Sequence, residues 1–254
     1  MEVLHSQILG EGTPFLILHG FLGMSDNWKT LGNRFSEAGY QVHLIDQRNH
    51  GRSFHDDTHN YQAMAEDVKN YCDHHNLEEI ILLGHSMGGK TAMQCATAYP
   101  GLVSKLIVAD IAPKQYPQHH QDILKGLASL DFSEIESRSQ ADKELAEYVK
   151  EKGVRQFLLK NLYWKNKGEL ALRMNLPVLT KNINEVGEPL SKEAIFKGDT
   201  LFIGAENSGY IQQMDEIIVK KHFPKAKIEI IKNVGHWLHA ENPDKFYENV
   251  VNFL

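Results

Sequence analysis

The chain has 254 residues, 42% of them hydrophobic and 24% charged, a balance that suits one large soluble α/β domain carrying an insertion. Its net charge of −6 and the scatter of its basic residues exclude the footprint of a nucleic-acid binder, and no run of about 18 apolar residues offers a membrane span. No basic segment followed by an apolar one opens the chain, so no secretory signal is seen and a cytoplasmic location is expected, with small molecules as partners.

After a short opening segment, a turn at Gly10 to Pro14 leads into Phe15-Leu16-Ile17-Leu18, the continuous apolar pattern of a strand buried on both faces. The glycine-rich His19-Gly20-Phe21-Leu22-Gly23 follows. A loop of this kind at a strand end aims backbone N–H groups at a ligand, and the Phe21 N–H is a candidate oxyanion donor. A helix starting near Ser25 carries Trp28, Leu31 and Phe35 on one face and closes at Gly39. The next strand, Val42 to Ile45, runs into the polar loop 46–53, in which Asp46 and Arg48 read as loop-fixing groups. His50, His55 and His59 lack a cysteine or acidic ligand set beside them, so no metal site is expected.

A helix over about 61–75 leads to Ile80-Ile81-Leu82-Leu83 and then to Gly84-His85-Ser86-Met87-Gly88, with a further helix to Tyr99. A buried strand, Gly-x-Ser-x-Gly and a helix in that order form a nucleophile elbow. The turn thrusts Ser86 forward, and the Met87 N–H just after it is the second candidate oxyanion donor. A hydroxyl is a weak nucleophile alone, so the chain must also supply a base and an acid to orient that base. Cys72 and Cys95 fall in the two helix-patterned segments and read as reduced packing residues. The strand Lys105 to Ala109 then ends in Asp110, at the sheet edge where the sites of open parallel sheets collect.

From 114 to 196 the pattern becomes helical, as in Ala141, Leu145 and Val149 at four-residue spacing, and no long apolar strand appears. This segment is expected to be a helical lid over a core made of 1–113 and 197–254, with Phe157, Leu158, Leu162, Tyr163 and Trp164 as candidates to line the substrate pocket. The core resumes at Thr200 to Gly204, with a helix expected over about 210–222 and a strand over Ile228 to Ile231. His236 lies just past that last strand, ahead of a terminal helix marked by Asn242-Pro243, and is the candidate base in preference to His239.

The core strands, the His19 to Gly23 loop, the Gly84 to Gly88 elbow and Gly235-His236 together resemble the α/β-hydrolase superfamily. Four further stretches resemble the ybfF-type bacterial esterases: Asp46-Gln47-Arg48-Asn49-His50-Gly51, Gly84 through Lys90, Asp110-Ile111-Ala112-Pro113 and, in the lid, Gln156-Phe157-Leu158-Leu159-Lys160. The resemblance implies an α/β-hydrolase fold, a carboxylic-ester or thioester hydrolase with a serine, histidine and aspartate triad, and no metal or organic cofactor. In the commonest layout of the superfamily the acid follows the strand after the lid, but here that loop reads Gly204-Ala205-Glu206-Asn207-Ser208, with a serine where aspartate is expected. Asp110, one strand over, is the favoured acid and Glu206 its rival. The same fold also hosts C–C bond hydrolases, lyases and ligand-binding receptors with little turnover, and these remain the alternative readings.

Overall fold

The computed structural model describes residues 2–254. Its centre is a seven-stranded sheet in the order β1-β3-β2-β4-β5-β8-β9. The strands are β1 (Ser6–Leu9), β2 (Thr13–Leu18), β3 (Tyr40–Ile45), β4 (Ile80–His85), β5 (Val103–Ala109), β8 (Asp199–Ala205) and β9 (Ala226–Ile231). All neighbours pair in parallel except β1, which runs antiparallel to β3 along the edge, so the short opening segment contains a strand.

Alternation along the strands builds two cores, because successive side chains leave a strand on opposite faces. Leu16 and Leu18 of β2 pack with Leu82, Leu106, Val108 and Phe202 on one face, while Phe15 and Ile17 join Leu83, Ile107 and Ile203 on the other. Helices cover both faces, which is why these strands are apolar throughout. On the Phe15 side lie α1 (Lys29–Glu37), which buries Leu31 and Phe35 just behind the buried Trp28, and α11 (Pro243–Phe253), which buries Phe246 and Val250. On the Leu16 side α2 (Tyr61–His74) and α3 (Met87–Ala98) contribute Val68, Tyr71, Met93 and Ala96, along with the free cysteines Cys72 and Cys95. Each Leu, Ile, Val, Phe or Met side chain among them taken fully out of water stabilises the fold by about 1.5–3 kcal/mol.

Between β5 and β8 the chain leaves the sheet and forms an inserted segment, the expected cap. Its helices are α4 (Gln121–Ala128), α5 (Arg138–Leu145), α6 (Lys152–Leu159), α7 (Leu176–Lys181) and α8 (Ile183–Val186). The cap is not wholly helical, since β6 (Leu162–Asn166) and β7 (Glu169–Leu172) form an antiparallel hairpin. Leu124, Leu127, Leu145, Leu158, Leu162 and Leu179 make its own core, which runs on into Phe21 and Met87 beneath. The two ends of the cap are stitched together where they leave the sheet. Tyr116 N–H donates to Gly187 O over 2.9 Å, Leu190 N–H donates to Pro113 O over 3.1 Å, and the Lys90 ammonium, buried in α3, donates to Lys114 O and to Glu188 O. Burial pulls the Lys90 pKa down to about 7.

After β8 the helix expected from Tyr210 is shorter, with α9 (Glu216–His222) preceded by a single 3-10 turn over Gln213–Asp215. Asp215 accepts from the Gln212 N–H over 2.8 Å and so ends the preceding loop. His239 lies in the short α10 (Leu238–Glu241) between β9 and α11. Among the described residues no helix is long and apolar enough to cross a membrane.

Candidate active site

Ser86 separates β4 from α3 with φ 53° and ψ −119°, a left-handed conformation that ordinary side chains rarely adopt. The two elbow glycines are required by close approach. A Cβ on Gly84 would sit 2.0 Å from Gly88 O, and one on Gly88 would sit 2.5 Å from both Leu18 O and His19 O. The turn can close only because both are absent, and closing it carries Ser86 up to the loop that follows β2.

His236 stands in the loop between β9 and α10, with its Nε2 3.0 Å from Ser86 Oγ and its Nδ1 2.8 Å from Asp110 Oδ2. A carboxylate only accepts, so Nδ1 carries the proton and Nε2 is left to accept from the serine hydroxyl. Asp110 is fully buried at the end of β5 and itself has φ 48°. Its Oδ1 accepts from Ala205 N–H over 3.2 Å and its Oδ2 also accepts from Ser208 Oγ over 2.5 Å. The His236 carbonyl accepts from His85 Nε2 over 2.8 Å, and the His236 ring stacks on Tyr210 with centroids 4.1 Å apart and planes 19° apart.

Of the two candidate acids, only Asp110 bonds to the histidine. Glu206 points elsewhere, its Oε2 accepting from Asn233 N–H over 2.8 Å. His239 is stacked on Trp28 with centroids 4.1 Å apart, and burial, the largest influence on it, lowers its pKa to about 3.

The loop after β2 is held by the loop after β3. Leu22, at φ 60°, donates its N–H to His50 Nε2 over 3.2 Å, while His50 Nδ1 donates to Arg48 O over 2.9 Å. Burial keeps His50 neutral, well below its ordinary pKa, so Nε2 stays an acceptor. Gln47 adds two bonds, its N–H to His19 Nε2 at 3.0 Å and its Nε2 to His19 O at 2.7 Å. Asp46 accepts from the Ser25 and Arg52 N–H groups, and Arg48 is paired with Asp67 at 2.5 Å. With the loop pinned, the Phe21 and Met87 N–H groups have no hydrogen-bond partner among the described residues. Met87 opens α3, where the first N–H groups are unpaired by construction and the helix dipole favours negative charge.

Two cavities meet at Ser86. The larger, of about 240 Å³, takes in Phe21, Ser86, His236 and Trp237, with Phe157 and Leu158 from the cap. The smaller, of about 20 Å³, lies over Met87 and Ile111. Three of the five expected pocket residues are elsewhere. Leu162 is buried in the cap's own core, Tyr163 lies against the Arg173 guanidinium 4.4 Å from its ring centre, and Trp164 is 54% exposed on the hairpin. All three belong to β6, the first strand of the hairpin, and not to α6. His119, His120, Ile123, Val154 and Tyr210 line the larger cavity without any sequence motif to mark them. Their only signal is position, at the start of the cap, on α6 and in the loop after β8.

The alpha/beta hydrolase fold family matches residues 13–243 of the chain. The chain is similar to Esterase YbfF of Escherichia coli, 32% identical over 95% of this chain and 93% of the relative. It is also similar to the sn-1-specific diacylglycerol lipase ABHD11 of Xenopus laevis, 36% identical over 96% of this chain and 80% of the relative. A solved structure described as a marine microorganism esterase superposes with a TM-score of 0.97 at 40% identity, covering 100% of both chains. With the family model covering residues 13–243 and relatives this similar over nearly the whole chain, the chain belongs to the α/β-hydrolase fold family.

Proposed function

We propose that this chain is a serine hydrolase of carboxylic esters and acyl-thioesters that works through an acyl-enzyme on Ser86. The observation that carries the reading is the hydrogen-bonded line Ser86, His236, Asp110, at 3.0 and 2.8 Å. Esterase and lipase names among its relatives support the same reaction class.

His236 Nε2 takes the Ser86 proton as Oγ attacks the acyl carbon, and the buried Asp110 stabilises the imidazolium that forms. The Phe21 and Met87 N–H groups receive the oxyanion, at the N-terminus of α3. The imidazolium then protonates the leaving oxygen or sulfur, the C–O or C–S bond breaks, and the acyl group stays on Ser86. Water, deprotonated by His236, attacks the acyl-serine and frees the acid. Water is the only co-substrate this sequence of steps uses, and the segment 114–196 acts as the cap that encloses the reacting carbonyl.

A fluorophosphonate probe tests the reading, because it bonds only to an activated serine. Mass spectrometry is expected to find the adduct on Ser86, with none in Ser86→Ala and strongly slowed labelling in His236→Ala. An unlabelled wild-type protein would leave a binding-only pocket as the better description.

A further inference from the structure

The two cavities at Ser86 differ in volume by more than tenfold, about 240 Å³ against about 20 Å³, and an ester presents two substituents of independent size. The larger is walled by the apolar Ile123, Val154, Phe157, Leu158 and Trp237. The smaller is closed by Tyr116, Ile183 and Val186 of the cap. His119, His120 and Tyr210 line both and so form the partition, and the Tyr210 Oη and His119 Nε2 are hydrogen-bonded at 2.6 Å, tying the loop after β8 to the cap.

The path of the proton decides which substituent goes where. In acylation the Ser86 Oγ–C bond forms, the bond to the leaving group breaks, and the proton taken by His236 Nε2 passes to the leaving heteroatom. That heteroatom must lie beside His236, and the acyl substituent on the same carbon must point away from it. His236 lines the larger cavity and not the smaller.

Resting on the acyl-enzyme reading above, we propose that the larger cavity holds the leaving group and the smaller one the acyl chain. The preferred substrates are then acetyl-sized esters or thioesters of bulky apolar alcohols or thiols. A single water needs about 10–15 Å³ of such space, so the small cavity takes one group of methyl size and little more. Ile183 and Val186 set the limit on acyl length, and Phe157 and Trp237 receive the leaving group.

Two ester series on the purified full chain test the assignment. In the first, p-nitrophenyl esters run from acetyl through propionyl and butyryl to hexanoyl. In the second, acetates run from methanol through hexanol to 2-naphthol. The kcat/KM is expected to fall about tenfold or more for each acyl methylene beyond the cavity, within the 10–200-fold that one methylene commands in a tight pocket, and to rise along the alcohol series. Ile183→Ala and Val186→Ala, two routes to a wider pocket, should each move the fall to longer acyl groups and leave the order of the acetates unchanged. Rates that climb with acyl length, or that ignore alcohol size, would overturn the assignment. Fluorophosphonate labelling of Ser86 in the same samples separates the cases. A labelled enzyme with reversed selectivity loses only this inference, and an unlabelled one loses the acyl-enzyme reading beneath it.

Discussion

Ser208 Oγ donates over 2.5 Å to Asp110 Oδ2, the same oxygen that accepts from His236 Nδ1. Ser208 stands in the loop after β8, where the commoner layout would hold the acid itself, and Asp110 stands one strand over at the end of β5. The Ser208 hydroxyl thus helps to hold the Asp110 carboxylate against the His236 imidazole.

This relationship predicts a ranking among three variants. Asp110→Asn should lower kcat towards the roughly 10⁴-fold loss known when an orienting acid is amidated, because the wrong histidine tautomer is then favoured. Ser208→Ala should lower it less, and Glu206→Gln least, since Glu206 bonds only to Asn233 N–H. Steady-state kinetics on variants with matching circular dichroism check the order. A larger loss at Glu206 than at Asp110 would move the acid.

At Ser86, activity and stability should part company. Ser86→Ala should abolish the acyl-enzyme while keeping the fold, a result that intact-protein mass spectrometry reads directly. Ser86→Gly should do the same and also raise the melting temperature, because glycine adopts φ 53° without the strain of about 1–3 kcal/mol that a side chain stores there. A Ser86→Gly protein that melts below wild type would mean that the elbow is not strained.

Within the cap, α6 and the hairpin should behave differently. Phe157→Ala, which opens the larger cavity, should change relative kcat/KM between small and bulky leaving groups by about tenfold. Trp164→Ala, at an exposed hairpin position, should leave that ratio where it was. The two ratios, measured side by side on acetates of a small and a large alcohol, check both statements.

Acid should destabilise the fold through its buried histidines. Burial lowers His59 to about 4 and His239 to about 3, and neither His59 nitrogen has a partner to offset a charge. The unfolded chain takes up these protons near 6.5, whereas the native state does so only near those depressed values. Their stabilising effect is therefore complete above about pH 6.5 and is lost as the pH falls towards 4, by about 1–2 kcal/mol for each at pH 5. Urea midpoints at pH 7.5 and 5 measure the loss, which should shrink in His59→Gln. An equal loss in that variant would remove His59 as a source.

Much of this protein is written in local patterns. Continuous apolar runs mark β2 and β4 because parallel strands are covered on both faces, and Gly84 to Gly88 mark the elbow because no other residue fits a Cβ position 2.0 Å from a backbone oxygen. The positions of Ser86, Asp110 and His236 at strand ends follow from chain order alone. Edge strand β1 and the hairpin of β6 and β7 are too short and too mixed in polarity for such a pattern, and β1 finds its partner only in the distant β3.

What tertiary structure alone decided was which side chains meet. Asp110 and Glu206 are both acids at strand ends, and only the side-by-side pairing of β5, β8 and β9 puts one of them 2.8 Å from His236 and the other beside Asn233. The pocket went the same way. Phe157, Leu158, Leu162, Tyr163 and Trp164 are equally apolar in sequence, yet α6 brings two of them to the cavity and the hairpin carries three away. Periodicity reports that a side chain will be buried, but the surface it is buried against depends on segments far away in the chain, and that is settled only when the cap folds onto the sheet.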